Sequence, residues 1–149
     1  MEFIEPSALM KILLAVDGSA YTHRMLDYLA AHDEWLGDRH EYHVLHVVLP
    51  VPHRAASFVG PDAVRRYHED DAETVLRPVR AFFEMQHIPA QFHWHVGHRA
   101  EVIAHEATEG RYDLVMMGSH GHGELANVVL GSVTTQVLAR CRTPILIIR

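Results

Sequence analysis

The sequence predicts an α/β domain, a single five-stranded parallel sheet with helices on both faces. Three observations carry this prediction. Short apolar runs, among them Ile12-Leu13-Leu14-Ala15-Val16 and Leu114-Val115-Met116-Met117, alternate along the 149 residues with longer segments of helical periodicity. Those runs are apolar at successive positions, as expected of strands covered on both sides. The order reads β-α-β-α-β-α-β-α-β, and parallel strands linked by helical crossovers place helices on either face of one sheet.

Lys11 to Val16 is the first strand, behind a loose leader over residues 1–9. Asp17-Gly18-Ser19 turns into a helix capped near Ser19, running to about Leu36, with Met25, Leu26, Leu29 and Ala30 toward the sheet and Gly37-Asp38 closing it. His43 to Leu49 is the second strand, stopped by Pro50 and Pro52, and the segment Val51 to Pro61 reads as a loop that could serve as a lid. Asp62 caps a long helix with Val75, Leu76, Val79, Phe82 and Phe83 as its apolar stripe. Pro78 inside it predicts a kink or break, because proline removes a backbone donor.

Residues 91–96 alternate, with Gln91, His93 and His95 on one face and Phe92, Trp94 and Val96 on the other, which places this strand at a sheet edge. After Gly97 a helix from Arg99 to Glu109 buries Ala100, Ile103, Ala104 and Ala107 and ends at Gly110. Asp113 to Met117 is the fourth strand. Val133, Val137, Leu138 and Cys141 mark the face of the last helix, and Pro144 to Ile148 is the fifth strand.

Between that fourth strand and last helix lies Gly118-Ser119-His120-Gly121-His122-Gly123-Glu124, continuing to Leu130-Gly131-Ser132-Val133-Thr134. Glycines at a strand-to-helix handover let the backbone approach a ligand closely, and a helix start offers N–H groups, at Gly131-Ser132, to an anion. Ser132 is also a good N-cap. Asp17, ending the first strand, is an acceptor suited to a ribose hydroxyl or an adenine amino group; it equally suits a turn or helix cap.

The spacing Gly118, two residues, Gly121, nine residues, Gly131-Ser132 resembles the ATP-binding signature of the universal stress protein family. Lys11 to Ser19, His46-Val47-Val48 and Thr143 to Arg149 resemble its first turn, second strand and last strand, in the right order, so the resemblance spans essentially the whole chain. It implies a Rossmann-like sheet of the adenine nucleotide alpha hydrolase-like kind, ordered 3-2-1-4-5 and formed by residues 1–149 as one domain. In that order the winding reverses between strands 1 and 4, where such sheets bind ligands.

The resemblance further implies ATP, with or without Mg2+, as ligand. Ala15, Val16, Asp17 and Val47 would line the adenine, and Met117 and Gly118 the adenine and ribose. Ser119, Gly121, Gly131, Ser132, Val133 and Thr134 would surround the phosphates. His120 stands where many relatives carry Arg or Lys, which weakens the expectation of tight triphosphate binding. A homodimer through the apolar edge strand Ile145–Ile148, a regulatory role in the stress response and an unnamed protein partner are implied as well. The alternatives are a nucleotide-free interaction module of the same family, or a slow ATPase or phosphotransferase.

Other classes fit poorly. A net charge of −6 without clustered Lys or Arg argues against nucleic acid. No apolar run approaches the ~20 residues that span a bilayer, and Met1 to Pro6 lacks a signal-peptide pattern, so a cytoplasmic protein is expected. There is neither a Gly-x-Gly-x-x-Gly after the first strand nor a P-loop, and no catalytic base accompanies the glycines. The single cysteine, Cys141, reads as a buried apolar residue. The 14 histidines, including His93 with His95 and His120 with His122, read as scattered and solvent-facing rather than as metal ligands.

Overall fold

The computed structural model describes residues 9–123 and 127–149. The leader expected over residues 1–9 lies outside them except for Leu9, as does Glu124 of the glycine stretch. Strands β1 (Lys11–Ala15), β2 (Glu41–Val48), β3 (Ala90–Val96), β4 (Leu114–Gly118) and β5 (Ile145–Ile148) form one parallel sheet in the order β3-β2-β1-β4-β5. Helices α1 (Ala20–Ala31), α2 (His53–Val59), α3 (Pro61–Met85), α4 (Arg99–Glu109) and α5 (Ser132–Arg140) complete the described structure, with a 3-10 turn at Gly37–Arg39.

The strand pleat splits the core in two. Ile12, Leu14 and Val16 project to one face, against Met25, Leu26 and Leu29 of α1 and Leu76, Val79 and Phe83 of α3. Leu13, Leu45 and Val115 project to the other, against Ala100, Ile103 and Ala107 of α4 and Val137 of α5. Because β1 is central, Leu14 lies opposite both Val44 and Met116, which ties the two halves of the sheet together. Among the described residues no helix is long and apolar enough to cross a membrane.

Several expectations require correction. The first helix ends at Ala31, not near Leu36; His32 is its C-cap, and the chain turns back so that Leu36 is buried outside the helix. Ala30 is exposed, and the fourth inward position is taken by Thr22. The segment Val51 to Pro61 is not simply a loop: His53–Val59 is helical behind Pro52, with Gly60 ending it at φ 84°. This helix buries none of its residues, and Phe58 is 88% exposed, so no apolar stripe announces it.

Gly60, not Asp62, is the N-cap of α3; Pro61 takes the first turn, where its missing N–H costs little, and Asp62 follows it. The helix also runs through Pro78 without a break. An interior proline costs about 3 kcal/mol. Leu76, Val79 and Phe83, all buried around it, each contribute about 1.5–3 kcal/mol, which outweighs that cost. At the last helix, Leu138 is largely exposed, and Cys141 is the C-cap, half-buried against the second cluster.

The edge position of β3 is as the alternation predicts, but its histidines are engaged rather than scattered. His93 stacks on His43 of β2 at 5.2 Å with Nε2 3.0 Å from His43 Nδ1, and His43 Nε2 meets Glu41 Oε2 at 2.8 Å. His95 pairs with Glu106 of α4 at 3.0 Å. Burial, and then the neighbouring His43, hold the His93 imidazole below its ordinary pKa; Glu106 opposes this, while His95 and Lys11 add to it.

His93 therefore binds its proton less readily folded than unfolded, so stability is lost as pH falls through about 6.5, the unfolded value. The melting temperature of the protein should drop more steeply from pH 7 to pH 5 than that of His93→Phe. Parallel slopes would show that His93 does not contribute.

Candidate functional site

The carboxyl ends of β1 and β4 face each other across the point where the winding of the sheet reverses. Between them opens a cleft with about 620 Å³ of empty volume, open solvent at its mouth included. Ala15, Val16, Asp17, Val47, Met117, Gly118, Gly121, Gly131, Val133 and Thr134 all line it. Ser119 and Ser132, the other two residues the sequence singled out, are absent from the lining.

Asp17 lines the cleft and also fills the turn role open to it. Its Oδ1 accepts from the Ser19 amide at 2.9 Å and from the Thr22 hydroxyl at 3.1 Å, while Thr22 Oγ1 accepts from the amides of Asp17 and Gly18. Ser19 then caps α1 through Tyr21 N. Gly18, at φ 78°, makes the turn feasible, since side chains rarely adopt that conformation. With Oδ1 occupied in the turn, Oδ2 points at the glycine loop, and a Cβ at Gly121 would stand 2.7 Å from it.

The loop after β4 is fastened at both ends. Ser119 donates its amide to Ile148 O, and its carbonyl accepts from Gly131 N at 2.6 Å. Ser119 is buried, its hydroxyl 2.8 Å from His120 Nδ1, so it underlies the loop instead of lining the cleft. His120 Nε2 donates to Val128 O, and His122 Nε2 donates to Asp17 O at 2.8 Å, linking the loop to the β1 turn. The Thr134 hydroxyl donates to Gly118 O at 2.8 Å.

Two details differ from the sequence expectation. The Gly131 amide is already used by Ser119, so it is not a free donor at the helix start. Gly131 is also the N-cap of α5, and Ser132 is its first residue rather than its cap. Of the three glycines near the strand end, only Gly123 has a positive φ, 71°. Gly118 is needed for close packing instead: a Cβ there would lie 2.5 Å from Tyr21 Cβ.

Sequence reasoning missed Tyr21, Thr22, Leu45, Arg99 and Ile103, which also line the cleft, and assigned no role there to His122. Leu45 and Ile103 were legible only as core positions, and Arg99 only as the start of a helix. Arg99 is the only Lys or Arg among the described lining residues, and its buried Nε has no hydrogen-bond partner there. A second hollow adjoins, where buried His46 meets Asp71 Oδ1 at 2.7 Å and Val16 O at 3.0 Å. Among the described residues no three His, Cys, Asp or Glu side chains gather as a metal ion would require.

Comparison with known proteins agrees with this architecture. A universal stress protein of Synechocystis is 32% identical over 139 residues, which are 93% of this chain; the chain spans only 42% of that relative's length. A universal stress protein of Thermus aquaticus is 31% identical over 138 residues, 93% of this chain and 97% of its own. The solved structure of the Methanocaldococcus jannaschii protein MJ0577, a universal stress protein by name, superimposes with a TM-score of 0.77 at 25% identity, covering 93% and 94% of the two chains. The structure of an Archaeoglobus fulgidus universal stress protein in complex with dAMP has a TM-score of 0.67 at 20% identity, covering 94% and 98%. The model of the Universal stress protein family matches residues 9–149, and the chain belongs to that family.

Proposed function

We propose that this chain binds an adenine nucleotide, ATP, in the cleft between the ends of β1 and β4, and that it works as a regulatory binder rather than as an enzyme. The observation that carries the proposal is the convergence of ten predicted ligand residues on one cleft at the switch point of the sheet. The base would lie against Ala15, Val16, Val47 and Met117, with Asp17 toward the ribose or the amino group. Gly118 would lie along the ribose, and the phosphates along Gly121 and Gly131 to Thr134, with Ser119 supporting the loop from below. The Archaeoglobus fulgidus relative of the same fold, described with dAMP, supports the ligand class.

The chemistry of the lining favours binding over turnover. Asp17 is the only carboxylate among the described lining residues, and its Oδ1 is held by the turn. Phosphoryl transfer needs groups that position a nucleophile and a metal, and one tethered carboxylate supplies neither well. Occupancy would instead brace the glycine loop and alter the surface offered to a protein partner inside the cytoplasm. Equilibrium titration with ATP, together with a turnover assay, tests the reading. Saturable binding with negligible release of phosphate is expected, whereas multiple turnover would make the protein an enzyme.

We also propose a homodimer through β5. Among the described residues this strand pairs only with β4, and Ile145, Leu146 and Ile147 remain partly exposed along its length. An apolar edge of that kind favours pairing with a second copy. Light scattering during size exclusion should give twice the 16.9 kDa chain mass at micromolar concentration. A monomer mass would refute the dimer.

A further inference from the structure

We infer that Arg99 is the residue by which the cleft distinguishes a phosphorylated ligand from an unphosphorylated one, its guanidinium pairing with a phosphate group. The inference rests on the nucleotide reading above and adds a specificity residue that lies outside the glycine loop. Arg99 is the first residue of α4, so its backbone is fixed by the helix, and the side chain reaches into the cleft. It also borders two neighbouring hollows. One of these holds Val133 and Gln136 of α5, and the other Asp17 and His122. Arg99 thus stands among the β1 turn, the glycine loop, α5 and α3, whose Asp70 and Asp71 line the second of these hollows.

Its electrostatic state calls for an anion. Nε is buried without a hydrogen-bond partner, and Arg99 takes part in no ion pair among the described residues, although Asp17 lines the same cleft. A buried donor atom left without a hydrogen bond is costly, and a phosphate approaching the half-buried guanidinium would supply acceptors for it. Arginine presents a planar fork that matches phosphate oxygens two at a time. The loop itself offers no Lys or Arg, its histidines are spent on Val128 O and Asp17 O, and the Gly131 amide is spent on Ser119 O. Arg99 is therefore the formal positive charge available to a phosphate in this cleft.

The chemistry recognised is a phosphate monoester or phosphoanhydride. A guanidinium lying over the face of the base would hold adenosine as firmly as ATP, so the two ligands separate the two roles. Calorimetric titration of the full chain, as wild type, Arg99→Gln and Arg99→Lys, with ATP, adenosine and inorganic tripolyphosphate makes the test.

In Arg99→Gln, affinity for ATP and for tripolyphosphate should fall about tenfold to a hundredfold, while affinity for adenosine stays within about twofold. Arg99→Lys, keeping the charge but losing the fork, should fall between. Melting temperatures should hold, since among the described residues the side chain it removes takes part in no ion pair and its Nε makes no hydrogen bond; should Arg99→Gln fail to fold, Arg99→Lys carries the comparison. Equal losses for ATP and adenosine, or no loss for either, overturn the inference while leaving the nucleotide reading intact. A wild type that binds tripolyphosphate but neither ATP nor adenosine removes the nucleotide reading and leaves Arg99 to be judged on tripolyphosphate alone. A wild type that binds none of the three overturns both.

Discussion

Gly121→Val should abolish ATP binding, with a loss of more than about a hundredfold, in a protein that still folds. The reason is local. The new Cβ would lie 2.7 Å from Asp17 Oδ2, closer than real Cβ contacts come, so one of the two must move. Asp17 cannot swing aside freely, because its other oxygen holds the Ser19 amide and the Thr22 hydroxyl in the turn that starts α1. The loop must therefore give way, and the valine methyls then occupy space between the ends of β1 and β4. Neither apolar cluster includes Gly121, so the melting temperature should fall by only about 2–4 °C, the shift expected of ~1 kcal/mol in a domain of this size. Gly131→Val should act alike by filling the space beside the phosphates. Calorimetry and thermal melting on the same samples check both variants, and undiminished affinity would show that the loop does not face the ligand.

Phe83→Ala should destabilise the protein by about 3–5 kcal/mol, the usual cost of emptying a buried aromatic site. Phe83 is buried on α3, with its ring 5.7 Å from Tyr42 and 6.0 Å from Phe92, so it joins the helix to β2 and β3. Tyr42 cannot relax into the space without consequence. Its buried hydroxyl already has no hydrogen-bond partner among the described residues, and burial pushes its pKa up to about 12. Urea titration measures the loss directly. A cost below about 1 kcal/mol would mean that α3 beyond Pro78 is not anchored as the buried stripe indicates.

These two sites also show what could be read in advance and what could not. Phe83 was legible because Val75, Leu76, Val79, Phe82 and Phe83 repeat at helical spacing, and that signal correctly marks a continuous stripe on both sides of Pro78. Of the kink or break that the proline predicts, the break does not occur, since the local backbone cost is smaller than the burial it opposes. Helix α2 was illegible for the opposite reason: lying on the surface with no buried residue, it leaves no periodic trace, and Pro52 and Gly60 look like loop residues while acting as its caps.

The cleft follows the same division. Residues supplied by the glycine spacing and the first turn were found because their chemistry is local in sequence. Arg99, Ile103 and Leu45 come from other elements, and only the packing of α4 over β2 and beside α5 brings them to the cleft. The histidines misled in a similar way. His43 and His93 lie 50 positions apart, and their stacking follows from the pairing of β2 with β3, which no spacing rule encodes.

The central claim, that the cleft holds an adenine nucleotide, is tested most directly by mass spectrometry of protein purified without added nucleotide, first under native and then under denaturing conditions. The account predicts a complex heavier than the bare chains by the mass of bound nucleotide, which releases ATP or ADP on denaturation. Protein that carries no adenine nucleotide, and takes up none when ATP is added, would contradict it and make the chain a nucleotide-free interaction module of its family.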